Sequence, residues 1–173
     1  METWHGFPCN SRLLELSSGR LLVPLQLNTR SATGNRKALI CRVQAAYSDD
    51  KGDSWKLSSN TVSVRGTAEQ GGSRPNHAAE PAAFERSDGT VMFLIRTRLG
   101  TIYGAESADG GETLSQSWDT GLESPASPCD VARIPSTGDI LLVWNKARPD
   151  GLGSNHPRTP LSSAISRDEG KTW

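Results

Sequence analysis

Few residues in this chain are placed to do chemistry, and most of the usual candidates drop out on spacing. His5 and His156 show no metal-ligand spacing, and Cys9, Cys41 and Cys129 match no metal motif. An odd number of thiols cannot all pair internally, so these cysteines read as buried thiols. No metal site and no cofactor is expected. Tyr47 and Tyr103 stand inside or at the end of apolar strands and read as packing residues. What remains is carboxylate and guanidinium chemistry. Glu80 opens an apolar hairpin, and Arg96 closes its second strand 16 residues later. An arginine fork grips a carboxylate through two parallel hydrogen bonds, with a geometry lysine does not offer. A Glu–Arg pair at this spacing also serves as a structural ion pair, and Glu80 alone as a turn or capping carboxylate. Arg98 competes with Arg96, because strand alternation places both on one face. Asn76 and His77 precede Glu80 in a loop, where they line the same region or are simply solvated.

The elements that must position these residues are repeated. Ser48-Asp49-Asp50-Lys51-Gly52-Asp53-Ser54-Trp55, Ser107-Ala108-Asp109-Gly110-Gly111-Glu112-Thr113-Leu114 and Ser166-Arg167-Asp168-Glu169-Gly170-Lys171-Thr172-Trp173 share one pattern, and their first serines stand 59 residues apart both times. Each reads as a hairpin pin. Asp50, Asp109 and Asp168 accept hydrogen bonds from turn N–H groups. Gly52, Gly111 and Gly170 supply a left-handed backbone. Trp55, Leu114 and Trp173 cover the turn with apolar area. An EF-hand calcium loop is excluded, since its spaced Asp ligands and terminal Glu are missing. These motifs are structural and not catalytic.

Upstream of each motif runs a strand, a glycine-containing turn and a second strand: Arg12–Leu16 into Leu21–Leu25, Ala82–Glu85 into Thr90–Ile95, and Val131–Ile134 into Ile140–Trp144. A third strand then enters the motif, over 38–47, 101–106 and 161–165, and a fourth is expected after it. Repeats over about 9–66, 78–123 and 127–173 therefore read as successive four-stranded antiparallel blades, the last cut short. Their continuous apolar second strands suit sheets packed on both faces. The long polar stretches 67–77 and 146–159 between them are candidate functional loops. Three blades cannot close a propeller, so residues 1–173 are expected to be part of a larger domain.

Bulk properties agree. The chain has 173 residues with 17 Gly and 10 Pro, a composition for short strands and tight turns. Nineteen basic residues balance nineteen acidic ones. A chain without basic excess is a poor nucleic-acid or membrane-surface binder. No apolar run is long enough to span a bilayer, and no basic-then-apolar leader opens the sequence. The compartment is left open; a secreted or periplasmic parent is compatible with these features.

The repeated Ser-x-Asp-x-Gly-x-Thr-Trp motif resembles the Asp box, or bacterial neuraminidase repeat, of the sialidase superfamily. The resemblance covers nearly the whole chain and implies part of a six-bladed β-propeller. Sialidases carry a Glu at the opening of a blade, an Asp-Gly turn and an Arg at the end of the next strand, as in Glu80…Ser87-Asp88-Gly89…Arg96 here. The resemblance implies that Glu80 activates a tyrosine nucleophile and that Arg96 belongs to an arginine triad for the sialic acid carboxylate. It makes Arg158, 62 residues after Arg96, the candidate for a further triad member. Ala79 stands where the family has Asn, and Pro81 follows Glu80. The tyrosine, the acid/base Asp and the first triad arginine have no match and are expected outside this chain. Asn145, the blade equivalent of Arg96, either meets substrate or caps its strand. The implied activity is exo-cleavage of a terminal sialic acid, or a related keto-acid sugar, with retention, on a sialylated or related acidic glycan. The alternative is a non-catalytic Asp-box propeller that binds glycan or protein. The parent polypeptide is expected to be the hydrolase, and this chain by itself to be inactive.

Overall fold

The computed structural model describes residues 5–7, 12–30, 39–65, 78–146 and 157–173. Among them every regular element is a β-strand, as the repeat requires. The first sheet holds β1 (His5–Phe7), β2 (Leu14–Glu15), β3 (Leu21–Arg30), β4 (Leu39–Ser48) and β5 (Lys56–Leu57), in the order β1-β3-β4-β5 with β2 also on β3. Its outer first strand is thus in two pieces: β1 pairs with the Asn28 end of β3 and β2 with the Leu22 end. The second sheet is β6 (Ala79–Glu85), β7 (Val91–Arg96), β8 (Thr101–Ser107) and β9 (Trp118–Glu123), in simple meander order. The third is β10 (Asp130–Arg133), β11 (Ile140–Asn145) and β12 (Leu161–Ser166). The fourth strands expected after the boxes are β5 and β9.

Period-two alternation explains how the sheets stack. Along β7, Val91, Phe93 and Ile95 face the first sheet, where they join Leu22, Val43, Ala45, Val62 and Val64 in one apolar cluster. Met92 and Leu94 face the other way and meet Val131, Ile140, Leu142 and Trp144 of the third sheet. The central sheet is therefore buried on both faces, and its second strand is apolar at every position up to Arg96. Full burial of side chains such as Phe93 and Leu94 contributes about 1.5–3 kcal/mol each.

The Asp boxes close the far end of each third strand. In all three, the first serine, Ser48, Ser107 or Ser166, donates its hydroxyl to the box Asp and accepts the N–H of the box glycine. The Asp accepts both the N–H and the hydroxyl of Ser54, Thr113 or Thr172. These bonds hold the Asp50 and Asp168 carboxyls down at about 2. Burial pushes Asp109 up, but the bonds from Thr113 and Ser107 outweigh it and leave that carboxyl low as well. Register places the boxes beside Leu21, Val91 and Ile140, at the starts of the second strands. Arg96 and Asn145 end those strands, so boxes and candidate site residues occupy opposite ends of the sheets.

Candidate active site

The site begins with a register fault. Ala79 pairs with Arg96, and Ala82 pairs with Leu94, so β6 carries one residue more than β7 between these pairs. Such a bulge re-aims a side chain that strict alternation would send elsewhere. Glu80 lies in it, with a left-handed φ of 39° that is unusual for a residue other than glycine. Its carboxylate thereby reaches the Arg96 guanidinium, with Oε2 3.3 Å from Nη1. Both side chains are mostly buried, and neither is fully satisfied. Among the described residues, Glu80 Oε2 and Arg96 Nε are buried without a hydrogen-bond partner. Polar atoms left in this state are rare in interiors and mark places where a ligand or water completes the bonding.

The surrounding charge is positive. Burial lowers the Arg96 pKa; Glu80 acts against that, and the charges of Arg158 and Arg98 lower it further. Arg158 thus acts on Arg96 from the third sheet's side of the site. Its position is built from below: Asn145 Nδ2 donates to the carbonyls of Arg158, at 2.7 Å, and Pro160, and Arg158 Nη2 donates to Ala126 O at 3.0 Å. Asn145 therefore holds the segment that carries Arg158. Arg98 lies past the end of β7 on an exposed turn, so the alternation argument that placed it beside Arg96 stops two residues short. Its charge still acts on Arg96. His77 and Asn76 fall outside the described residues, as does Cys9.

Two residues that sequence reasoning passed over, Gln26 and Asn28, stand next to this group, together with Cys41, which was expected to be a buried thiol and is only partly buried. Gln26 Oε1 accepts the Glu80 backbone N–H at 2.9 Å, and Gln26 Nε2 donates to Asn28 Oδ1 and, more weakly, to Cys41 Sγ. The available signal was the face shared by Leu22, Pro24, Gln26 and Asn28, which turns from apolar to polar toward the strand end that Arg96 also marks. Cys129, by contrast, is a core residue, and burial pushes its thiol up to about 12. Tyr47 lies under the Arg20 guanidinium, 4.4 Å from ring centre to Cζ, and Tyr103 packs on the cluster between the first two sheets. Both are packing residues, as expected. Two cavities at the surface lie elsewhere, one lined by Arg20, Asp49 and Asp109, the other by Asn60, Tyr103 and Ser117. The groups in the first are already committed to one another, through Arg20 and Asp49.

Residues 5–173 match the BNR repeat-like domain family. The chain belongs to this family, within the sialidase superfamily. The BNR chain is 30% identical over 158 residues to an anhydrosialidase of Macrobdella decora, covering 91% of the chain and 17% of that protein. Trypanosoma rangeli sialidase superposes with a TM-score of 0.60 at 18% identity, over 88% of this chain and 22% of that one. The K499G variant of NanB sialidase from Streptococcus pneumoniae gives 0.55 at 24% identity, over 82% and 19%. A Dyadobacter fermentans protein of unknown function gives 0.61 at 22% identity, over 92% and 38%. The BNR chain thus spans less than two-fifths of the length of each of these relatives. Its three sheets are consecutive blades of a sialidase-type propeller.

Proposed function

We propose that the protein carrying this chain is an exo-sialidase-like hydrolase that releases a terminal sialic acid or related keto-acid sugar from an acidic glycan with retention. The observation that supports this best is the unsatisfied Glu80–Arg96 pair, set among two further arginines at one end of the blades. A substrate carboxylate entering there completes the bonding of Arg96, with Arg158 as a second cation. A sialoside bears its carboxylate on the anomeric carbon, where a carboxylate nucleophile would be repelled. A tyrosine nucleophile avoids that repulsion but must lose its proton as it attacks, and Glu80 would serve as the base. The tyrosine, the acid/base Asp and the remaining triad arginine would come from other blades.

The test is turnover of a fluorogenic aryl sialoside by the natural full-length protein, with NMR of the first-formed anomer to read retention. Glu80→Gln should lower kcat by about a hundredfold or more and change KM little. Arg96→Ala should instead raise KM and weaken N-acetylneuraminate binding. Binding of N-acetylneuraminate without turnover would replace this reading with the glycan-binding one. The 173-residue chain alone should show no turnover above background, since both of its tyrosines are packing residues.

A further inference from the structure

Glu80 does not hold its own position. Its φ of 39° lies in the left-handed region that residues other than glycine seldom adopt without strain, and the bulge that contains it lacks a glycine. Such a conformation persists only when the surroundings enforce it. The group in contact with its backbone N–H belongs to another blade: Gln26 Oε1, 2.9 Å away and 54 residues earlier in the chain.

The orientation of that amide is itself determined. Gln26 is only 9% exposed, so it is held among protein groups and not free in solvent. Its Nε2 donates to Asn28 Oδ1 at 2.8 Å. Turning the amide over would set its NH2 group against the Glu80 N–H and its oxygen against the Asn28 oxygen, losing both bonds at once. The bonding pattern therefore admits one orientation, with the acceptor aimed at Glu80. The result is a relay across the seam between the first two sheets, from Asn28 through Gln26 to the Glu80 main chain. On the far side of that main chain, the Glu80 carboxylate meets Arg96.

We propose that Gln26 is a positioning residue for Glu80: it pins the strained bulge from the neighbouring blade, and so sets where the Glu80 carboxylate stands relative to Arg96 and the reacting tyrosine. This role rests on the reading of Glu80 as the base. It also makes that base a joint product of two blades, so the site is completed only when their seam closes. Loss of the Gln26 acceptor lets residue 80 relax to an ordinary backbone conformation and carries the carboxylate away from its target. Displacement of a catalytic group by about an ångström can cost up to about a hundredfold in rate. Arg158 keeps its bonds to Ala126 and Asn145, and Arg96 keeps its backbone place at the end of β7, so substrate binding should change little.

The experiment compares Gln26→Met, which keeps the volume and removes the acceptor, with Gln26→Glu, which keeps an oxygen facing the Glu80 N–H. Both are made in the natural full-length protein. Two quantities are read: hydrogen exchange of the Glu80 amide, and kcat and KM on a fluorogenic aryl sialoside. Gln26→Met should speed Glu80 amide exchange by about tenfold or more and lower kcat by about ten- to a hundredfold, with KM within about threefold of wild type. Gln26→Glu should keep the Glu80 amide protected and retain more of kcat. Unchanged Glu80 exchange in Gln26→Met overturns the proposal. So does a rise in KM at constant kcat, which would make Gln26 a substrate-binding group. A wild-type protein that turns over no sialoside refutes the proposed activity instead, and the Glu80 amide, read on that same protein, still decides whether Gln26 holds this backbone.

Discussion

Arg96 stands between the Glu80 carboxylate and the charges of Arg158 and Arg98, and its side chain is mostly buried. In the proposed site its planar fork is what would make the position useful, because charge alone is already plentiful. Arg96→Lys keeps the charge and discards the fork. In the natural full-length protein this change should weaken N-acetylneuraminate about ten- to a hundredfold by calorimetry, the size expected for charge-assisted hydrogen bonds worth about 1.5–3 kcal/mol. Arg98→Lys, on an exposed turn, should cost less than about threefold. Comparable losses from both variants would mean that the cluster acts as a diffuse positive field. Glu80 and Arg96 were legible in the sequence because each marks a strand end of an apolar hairpin. Asn145 was legible as a strand end but not in its task, which is to hold the carbonyl of a residue 13 positions further on. Gln26 was not legible as part of the candidate site. Its partner is a backbone N–H in another sheet, and the bulge that exposes this N–H carries no glycine to announce it.

The Asp box could be read from sequence almost atom by atom, because its bonds are local. Less visible was that its glycine faces the preceding blade as well as its own turn. A Cβ on Gly111 would come within 2.6 Å of Leu22 Cδ1, and one on Gly170 within 2.7 Å of Phe84 Cζ. On Gly52 the nearest atoms are 3.8 Å away, and the cost there is only that of the left-handed φ. Gly52→Ala should therefore cost about 1–2 kcal/mol. Gly170→Ala should cost about 2–5 kcal/mol, since Phe84 is buried in the cluster and overpacking adds about 1–3 kcal/mol to the left-handed φ cost. Urea denaturation of the purified chain orders the two, and equal losses would show that the seam gives way freely. The same element sets an acid limit. The folded Asp50 and Asp168 carboxyls titrate at about 2, below the ordinary value of 3.8. Between those values the unfolded chain binds more protons than the folded one, so stability rises with pH there. The contribution is complete above about pH 4 and drains away as pH falls toward 2. The urea midpoint should fall through that window, and Asp168→Asn should flatten the fall.

At the scale of the whole molecule, successive blades are tied by arginines that the repeat did not align. Arg20, after the glycine of the first blade's turn, donates to the carbonyl of Gly110 in the next blade's box; Arg86, before the second blade's turn, donates to the carbonyl of Glu169. Gly110 and Glu169 hold the same place in their boxes, so two arginines from opposite sides of a turn reach one structural target. The sequence places Arg20 in the glycine-containing turn between the strands Arg12–Leu16 and Leu21–Leu25. In the structure it also pairs with Asp49 and Glu112 and covers Tyr47, with its own side chain only 16% exposed. Turn serines add to the seam: Ser17 donates its N–H and hydroxyl to Glu85, and Ser87 donates its N–H to Glu169. Stacked repeats of this kind have stabilities set by each unit and by its interface with the next. Among the described residues, the central sheet alone has an apolar cluster on both faces. Native-state hydrogen exchange should accordingly find the slowest amides in β7, with the edge strands β5 and β12 of the two outer sheets opening first. Arg20→Met removes several charge-assisted bonds across one seam and should cost about 2–3 kcal/mol. That loss should appear as faster exchange at Val43 and Ala45 of the first blade, while Leu142 and Ala164 of the third stay within about twofold of wild type. Arg20→Lys should recover little of it, since one ammonium cannot reach Asp49, Glu112 and the box carbonyls together. If exchange instead rises evenly in all three sheets, the chain opens as one unit, and the seams act as parts of a single cooperative core.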